Sequence, residues 1–174
     1  MTDAQTPVLS DRDRGHLKRA IALSEEAFEA GDRPFGAVLV AADGTVLSEA
    51  WCSIWSVGDP TVHAELYAIR KASQLRPAPD LSTATMYASS EPCPMCASAI
   101  YWSGIPRLVF GASQARFAAL REAQSDGGGG SGGGLKLACR EVFARGGREI
   151  EVLGPVLEDE AMEVHARFWG PNAH

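Results

Sequence analysis

The amino-acid sequence predicts a single α/β domain in which helices flank a β-sheet. Short apolar segments with strand character alternate along the chain with longer segments whose apolar residues recur at helical spacing. The second half of the chain follows a strand–helix–strand–helix–strand order, which is typical of parallel strands covered by helices. A length of 174 residues and a hydrophobic content of 45% suit one domain with its own core.

Each element has a local signal in the sequence. Apolar runs bounded by turn residues predict strands at residues 35–40, 45–50, 85–89, 107–110 and 150–153. Helical spacing predicts helices at residues 11–30, 63–74, 93–103, 115–124 and 158–169. In the last helix we expect Met162, Ala166 and Trp169 to face the core. Residues 51–60 predict a loop, and residues 135–144 predict either a helix or the lip of a pocket.

Capping and turn residues mark the ends of these elements. Ser10 can cap the first helix and Gly31 can end it. The Asp-Gly pair at 43–44 predicts a turn between the first two strands. Proline at the first position of a helix loses no hydrogen bond that the helix needs, so Pro94 indicates that a helix starts at Cys93.

Two short stretches carry the residues that indicate chemistry. The first contains His63 and Glu65, and the second contains Cys93 and Cys96. Zinc favours nitrogen and sulfur ligands, and a catalytic zinc keeps one of its four positions open. His63, Cys93 and Cys96 would supply three ligands and leave Glu65 as an acid/base. The alternative is a closed structural zinc site or a cysteine pair without metal, but no fourth Cys or His lies beside either stretch in the sequence.

Helix starts explain how these residues can meet. Cys93 and Cys96 are three residues apart at a helix start, where free N–H groups and the positive end of the helix dipole favour thiolates. His63 and Glu65 are two residues apart and would point in nearly opposite directions in the middle of a helix. At a helix N-terminus, both can reach one metal. We therefore expect two helix starts to converge on a single ion.

The two stretches resemble the paired motifs of the cytidine-deaminase-like superfamily, the first over residues 59–65 and 68–70 and the second over residues 90–96 and 99–102. Within this superfamily the chain is most similar to bacterial guanine deaminases and next to tRNA adenosine deaminases. The resemblance implies one three-layer α/β/α sandwich with a mixed five-stranded sheet, the cytidine deaminase-like fold, over residues 1–174. It also implies a zinc cofactor, release of ammonia by hydrolysis, and a homodimer or larger assembly.

The sequence differs from the family at one position that the resemblance assigns to substrate binding. In the family, an Asn in the loop before the first motif hydrogen-bonds the base, but the matching position here is Cys52, and no Asn occurs in residues 1–171. The candidate substrate-binding residues are Phe35, Cys52, Ala64 and Trp55. A thiol cannot replace the paired hydrogen bonds of a carboxamide. We therefore expect a pocket that selects by shape, with weak turnover of guanine unless Ser53 or a C-terminal residue supplies the missing contact.

Composition bears on the class of substrate. The formal net charge is -6, from 22 acidic and 16 basic side chains, and no run rich in Lys and Arg occurs. Nucleic-acid binding depends on basic side chains at phosphates. The sequence thus favours zinc-dependent deamination of a free aminated nucleobase or nucleoside, with Glu65 as the catalytic proton carrier. The alternatives are a tRNA adenosine deaminase, a deaminase of another heterocycle (cytosine, a triazine, a pterin or a nucleoside antibiotic), and a non-catalytic zinc-binding relative.

Three further features describe the expected setting of the protein. Cys52 and Cys139 lie outside the metal motif, and we expect both to be reduced and unpaired. No segment approaches the roughly 20 apolar residues of a transmembrane helix, and the N-terminus does not resemble a signal peptide. A cytoplasmic protein without membrane association is therefore expected. Residues 127–134 contain seven glycines and one serine, which predicts a flexible loop or an engineered linker.

Overall fold

A computed structural model of the chain describes residues 9–124 and 134–169. Apart from Gly134, the glycine-rich segment predicted at residues 127–134 lies outside the described residues. The strands are β1 (Gly36–Val40), β2 (Val46–Trp51), β3 (Thr85–Ser90), β4 (Arg107–Ala112) and β5 (Glu151–Leu153). The helices are α1 (Asp11–Glu29), α2 (Ile54–Val57), α3 (Ala64–Ser73), α4 (Pro94–Trp102), α5 (Gln114–Gln124), α6 (Cys139–Ala144) and α7 (Glu158–Trp169), with a short 3₁₀ turn at Leu81–Thr83.

The five strands form one mixed sheet in the order β2-β1-β3-β4-β5. Strand β1 runs antiparallel to both of its neighbours, with Ala37 opposite Ala50 on β2 and Ala88 on β3. Strands β3, β4 and β5 are parallel to one another. The predicted five-stranded mixed sheet is confirmed, and the parallel strands lie in the part of the chain where strands alternate with helices.

Helices cover both faces of the sheet and bury two apolar cores. One face packs against α1 and α7, and the other packs against α3, α4 and α6. The first core includes Leu17, Ala20, Val38, Tyr87 and Ala161. The second core includes Leu39, Ala68, Met86, Ile100 and Phe143. The α/β sandwich predicted from the sequence is therefore the observed architecture.

Individual residues fix the start of α1 and its close approach to β1. The Ser10 hydroxyl accepts a hydrogen bond from the backbone N–H of Asp13 (3.1 Å), so it caps α1 as predicted. Where α1 crosses β1, a Cβ atom on Gly36 would clash with the Ala20 carbonyl and the Leu23 side chain. Glycine at this position allows the helix and strand to approach closely.

Two expectations about local structure are wrong. The segment predicted as a loop contains the one-turn helix α2, which has no buried residue of its own. In α7, Ala166 is exposed, whereas Ala161, Met162, Val164 and His165 are buried. Alanine is small enough to occupy either side of an amphipathic helix, so its position gave no directional signal. The fully buried residues next to it are instead Val164 and His165, and His165 is a polar side chain that helical spacing did not select.

All four cysteines are free thiols; Cys52, Cys96 and Cys139 are buried and Cys93 is partly buried.

Within the described ranges, no helix combines the length and the apolar character that crossing a membrane requires.

A partly buried ion pair joins α1 to the sheet at the start of β4. The two carboxylate oxygens of Asp13 accept hydrogen bonds from the Arg107 guanidinium at 2.6 and 3.1 Å, and the Tyr87 hydroxyl donates a third at 2.8 Å. Burial alone would raise the pKa of Asp13. The hydrogen bonds from Arg107, Ser10 and Tyr87 outweigh burial and hold this pKa well below its usual value.

Replacing Asp13 with Asn should lower the free energy of unfolding by about 3 kcal/mol at pH 7, because Arg107 would lose its buried charge partner. The pKa of Asp13 in the folded state lies below its unfolded value of about 3.9, so the carboxylate stabilises the fold fully above that value and less as the pH falls through it. Urea unfolding should therefore show a smaller difference between parent and variant at pH 3 than at pH 7.

The matched control for this prediction is Asp159→Asn. Asp159 pairs with Arg116 at 2.5 Å, but its side chain is 90% exposed, so its removal should change stability little at either pH. Equal losses for Asp13→Asn at pH 3 and pH 7 would contradict the electrostatic origin of the effect.

Candidate active site

The chemically distinctive residues lie at the starts of two helices. His63 is the N-cap residue of α3, and Cys93 is the N-cap residue of α4. Neither side chain forms the usual N-cap hydrogen bond of its helix. Pro94 occupies the first position of α4, as the sequence predicted. Both N-cap side chains can therefore turn toward each other instead of capping their helices.

These helix starts bring three metal-ligating side chains together. The Nδ1 atom of His63 lies 3.5 Å from Sγ of Cys93. The ligand atoms of His63, Cys93 and Cys96 all lie within 4.8 Å of one another. Glu65 is 8% exposed and lies beside this cluster, within hydrogen-bonding reach of the Cys96 thiol. The structure thus places all four residues of the two sequence stretches in one site.

The electrostatics of the cluster favour a thiolate on Cys93. A hydrogen bond from Cys96 lowers the pKa of Cys93 most, and a hydrogen bond from His63 lowers it further. Together they bring this pKa to about 4, although burial acts in the opposite direction. The Cys93–Cys96 hydrogen bond and burial raise the pKa of Cys96. Burial is the larger cause that raises the pKa of Glu65, and the negative charge of the Cys93 thiolate is the second. The resulting pKa is about 7. A bound cation would stabilise such a buried thiolate, and sulfur and imidazole ligands match zinc.

The loop that carries Cys93 is held by hydrogen bonds to two other helix starts. One carboxylate oxygen of Glu91 accepts from the backbone N–H of Gln114 at the start of α5, and the other accepts from the backbone N–H of Cys139 at the start of α6, both at 3.1 Å. The Gln114 side chain donates to the Pro92 carbonyl oxygen at 2.9 Å. Glu91 belongs to the second motif, yet its motif position alone did not reveal this role. The available signal was its negative charge, which suits helix N-termini.

Two of the predicted substrate-binding residues, Ala64 and Cys52, lie next to residues of the cluster, and a third, Phe35, contacts Cys52. Ala64 is fully buried between His63 and Glu65. Cys52 is 1% exposed, and its backbone N–H donates to the Phe35 carbonyl oxygen at 2.9 Å. Burial raises the pKa of Cys52 to about 11, and the charge of Glu65 contributes to this shift. The Cys52 side chain is therefore a neutral thiol near the carboxylate.

The fourth predicted residue, Trp55, lies at the surface. It is 54% exposed, and its ring stacks on Phe168 with the centroids 5.9 Å apart. Its helix, α2, is not capped by Ser53. The buried carboxylate of Asp32 accepts the backbone N–H groups of Trp55 (2.9 Å) and Ser56 (3.3 Å) instead. Trp55 thus flanks the buried part of the site without lying inside it.

A set of aromatic rings lies next to Phe35. The Phe35 centroid is 5.7 Å from Phe117 and 5.9 Å from Trp169, and we call these three residues the aromatic collar. The imidazole of His165 lies 5.1 Å from the Phe35 ring. Burial lowers the pKa of His165 to about 4, so this side chain is neutral at physiological pH. His165 and Phe117 were not among the sequence candidates, because neither lies in a motif and their contacts to Phe35 are distant in sequence.

Comparison with known proteins places these observations in a family. Residues 10–112 match the family described as the cytidine and deoxycytidylate deaminase zinc-binding region. The chain is 37% identical over 161 residues to the probable cytosine deaminase of Schizosaccharomyces pombe, which covers 92% of this chain and 94% of that protein. It is 46% identical over 99 residues to the guanine deaminase of Bacillus subtilis, which covers 56% of this chain and 62% of that enzyme.

The fold is also similar to solved structures. A structure from studies of A-to-I editing by tRNA:A34 deaminases at the wobble position of transfer RNA superposes with a TM-score of 0.69 at 28% sequence identity. The superposition covers 87% of this chain and 99% of that chain.

The cofactor of this chain is zinc. His63, Cys93 and Cys96 all lie within the matched zinc-binding region. The residues fit the metal, because they offer two sulfur donors and one nitrogen donor in a single cluster that already favours a thiolate. Among the described residues the cluster has three such ligands and not the four of a closed structural site.

Elemental analysis of protein purified without chelators should give one zinc per chain, and Cys93→Ser should lose most of it, because an alcohol is a much weaker zinc ligand than a thiolate. Cys139→Ser is the matched control: Cys139 is also a buried free thiol, but it is not in the cluster, so its variant should keep the metal. Full zinc content in Cys93→Ser would show that the cluster is not the metal site.

Proposed function

Because this chain belongs to the cytidine and deoxycytidylate deaminase family, we propose that it removes the amine of a free aminated nucleobase or nucleoside by zinc-dependent hydrolysis. The observation that carries the proposal is the combination of three metal ligands with a buried carboxylate, Glu65, beside them. A structural zinc takes four protein ligands, whereas a catalytic zinc takes three and leaves a position for water or substrate.

The chemistry divides between the metal and Glu65. Zinc held by His63, Cys93 and Cys96 supplies a Lewis acid that lowers the pKa of water. Glu65 takes a proton from the attacking water and delivers it to the ring nitrogen next to the carbon that bears the amine. It then carries the second proton to the departing amine, so that one water and one aminated ring give one oxo ring and one ammonia. A carboxylate held in a buried position beside the cluster suits these two transfers.

A small substrate agrees with the charge of the protein. The formal net charge is -6, whereas contacts to nucleic-acid phosphates need clusters of Lys and Arg. A tRNA substrate is the second candidate, because the fold is similar to that of a tRNA:A34 deaminase. Binding to tRNA that weakens steeply between 50 and 200 mM salt would favour this second candidate over a free base.

The identity of the base depends on the Cys52 position. Cys52 is a buried neutral thiol where the family's Asn would hydrogen-bond the base. One relative that matches over 92% of this chain is a probable cytosine deaminase, and the guanine deaminase matches over 56% of it. Cytosine and guanine are therefore the first compounds to test, followed by nucleosides and other aminated heterocycles. Zinc without ammonia release from any of them would favour a non-catalytic binding protein.

Glu65→Gln should keep zinc and the fold but lose turnover by roughly 10²–10⁴-fold, because an amide cannot carry the two protons. The measurement is ammonia release from the best substrate of the screen, with zinc content determined on the same sample. Near-normal turnover in the zinc-loaded variant would remove Glu65 from the mechanism.

Cys52→Asn should raise activity on guanine relative to the parent, because a carboxamide can pair with two ring positions and a thiol cannot. The assay compares kcat/KM for guanine, guanosine, adenosine and cytosine in both proteins. Cys52→Ser serves as the control, since it restores a polar group of the same size without a carboxamide. Strong guanine turnover by the parent with no change in Cys52→Asn would exclude this position as a specificity element.

We also propose that the protein is at least a homodimer. Trp102, at the end of α4, is 84% exposed, and its neighbour Tyr101 packs edge-on against it with ring centroids 5.6 Å apart. An aromatic side chain exposed to this extent at the end of the metal-bearing helix suits a protein interface, where Trp is enriched.

The mass in solution at micromolar concentration should therefore be at least twice the chain mass of 18.5 kDa, and Trp102→Glu should shift it toward the monomer, because the charge would be buried at the interface. The matched control is Val46→Glu, which places the same charge at an exposed apolar residue on the edge strand β2. A monomeric parent, or equal effects of the two substitutions, would contradict the proposal.

A further inference from the structure

A buried histidine on the last helix contacts the strand that leads into the metal loop. Nε2 of His165 lies 2.8 Å from Oγ of Ser90, and both side chains are buried. Ser90 is the last residue of β3 and precedes Cys93 by three positions. The hydrogen bond therefore connects α7 directly to the start of the metal-binding segment.

The Ser90–His165 pair has one hydrogen-bond donor more than it uses. If the serine hydroxyl donates to Nε2, then Nδ1 carries the second proton of the pair. If Nε2 donates to the serine, then the hydroxyl proton remains available. Within the described part of the chain, Nδ1 of His165 is buried and has no hydrogen-bond partner. A buried polar atom without a partner is costly, and a ligand that supplies the partner removes that cost.

The imidazole of His165 is packed among aromatic rings. Its imidazole centroid lies 5.1 Å from Phe35, 5.3 Å from Phe117 and 5.5 Å from Trp169, so the aromatic collar surrounds it on three sides. The Phe35 backbone is hydrogen-bonded to Cys52, the position where the family places a base-binding Asn. Phe35 therefore contacts both His165 and Cys52.

We infer that the Ser90–His165 pair is a specificity-determining element that donates a hydrogen bond to a carbonyl oxygen of the substrate. This inference rests on the proposed deamination of a free base. It assigns to α7 the polar contact that the Cys52 thiol does not provide. It also narrows the substrate class to aminated rings that carry a second acceptor group, such as an amino-oxo pyrimidine or purine.

The test compares substrates with and without a ring oxo group. Cytosine is paired with 4-aminopyrimidine, which lacks the oxo group, and guanine is paired with 2-aminopurine, which lacks it as well. Within the pair that it deaminates, the parent should prefer the compound that carries the oxo group. Ser90→Ala and His165→Phe should each reduce this preference, measured as the ratio of kcat/KM values, by about tenfold or more. Taking the ratio within each protein cancels general losses of fold or zinc.

Matched variants separate the hydrogen bond from packing. His165→Phe keeps the aromatic volume and removes both nitrogens, whereas His165→Gln restores a donor and should recover part of the preference. Ser89→Ala is the control on the same strand: Ser89 is buried and its hydroxyl accepts from the Gly36 backbone N–H at 3.0 Å. This variant should leave the preference unchanged. Ser90→Ala changes little volume, so it tests the inference even where His165→Phe does not fold.

A second readout does not depend on turnover. The imidazole nitrogen resonances of His165 in the zinc-loaded protein should shift when uracil or xanthine, the oxo products of cytosine and guanine, is added at saturating concentration. Those of His16 on α1 should not shift. An unchanged substrate preference in both Ser90→Ala and His165→Phe, in a parent that deaminates one of these bases, would overturn the inference and leave the deaminase function intact. Absence of ammonia release from every heterocycle in the parent would instead overturn the proposed function, and the inference with it.

Discussion

The structure depends on the convergence of two helix N-termini on one buried group of thiols, imidazole and carboxylate. A thiolate on Cys93 and a carboxylate on Glu65 are costly to bury together without a cation. Each helix start contributes a partial positive charge of only about half an elementary charge. Zinc supplies the rest, so the metal completes the electrostatics of α3 and α4 as well as the chemistry. This explains why the two N-cap positions hold His63 and Cys93, which do not cap their helices, where Ser or Asp would be usual.

The mixed sheet brings the other residues of the site to the same edge. Because β1 runs antiparallel to β3, it begins where β3 ends, and Phe35 therefore lies beside Ser90. Strand β2 is antiparallel to β1 and ends at that edge with Cys52 after it. Strand β4 is parallel to β3 and also ends there, where the backbone of Ser113 donates to Glu158 at the start of α7. An all-parallel sheet would have placed the start of β1 at the opposite edge, away from the metal.

The sequence predicted the parts of this structure whose signals are local. The strands and the main helices follow from periodicity, and the starts of α1 and α4 follow from Ser10 and Pro94. The metal ligands lie in two short stretches, so their spacing was sufficient. The helix α2 was missed because its cap, Asp32, lies 23 residues before Trp55 and leaves no trace in the segment itself. His165 was missed for the same reason, since its partner Ser90 is 75 residues away.

This division between local and distant signals also separates chemistry from specificity. The reaction needs zinc ligands and a proton carrier, which two adjacent helix starts can supply from short motifs. Recognition of the base needs groups around the whole ring, and we propose that at this sheet edge they come from β1, the end of β2, the end of β3 and α7. Under this proposal, Cys at position 52 in place of Asn would alter the base that is accepted without changing the metal site. One reaction centre surrounded by residues that differ between proteins would produce relatives that act on different bases. The names of the relatives, cytosine deaminase and guanine deaminase, agree with this.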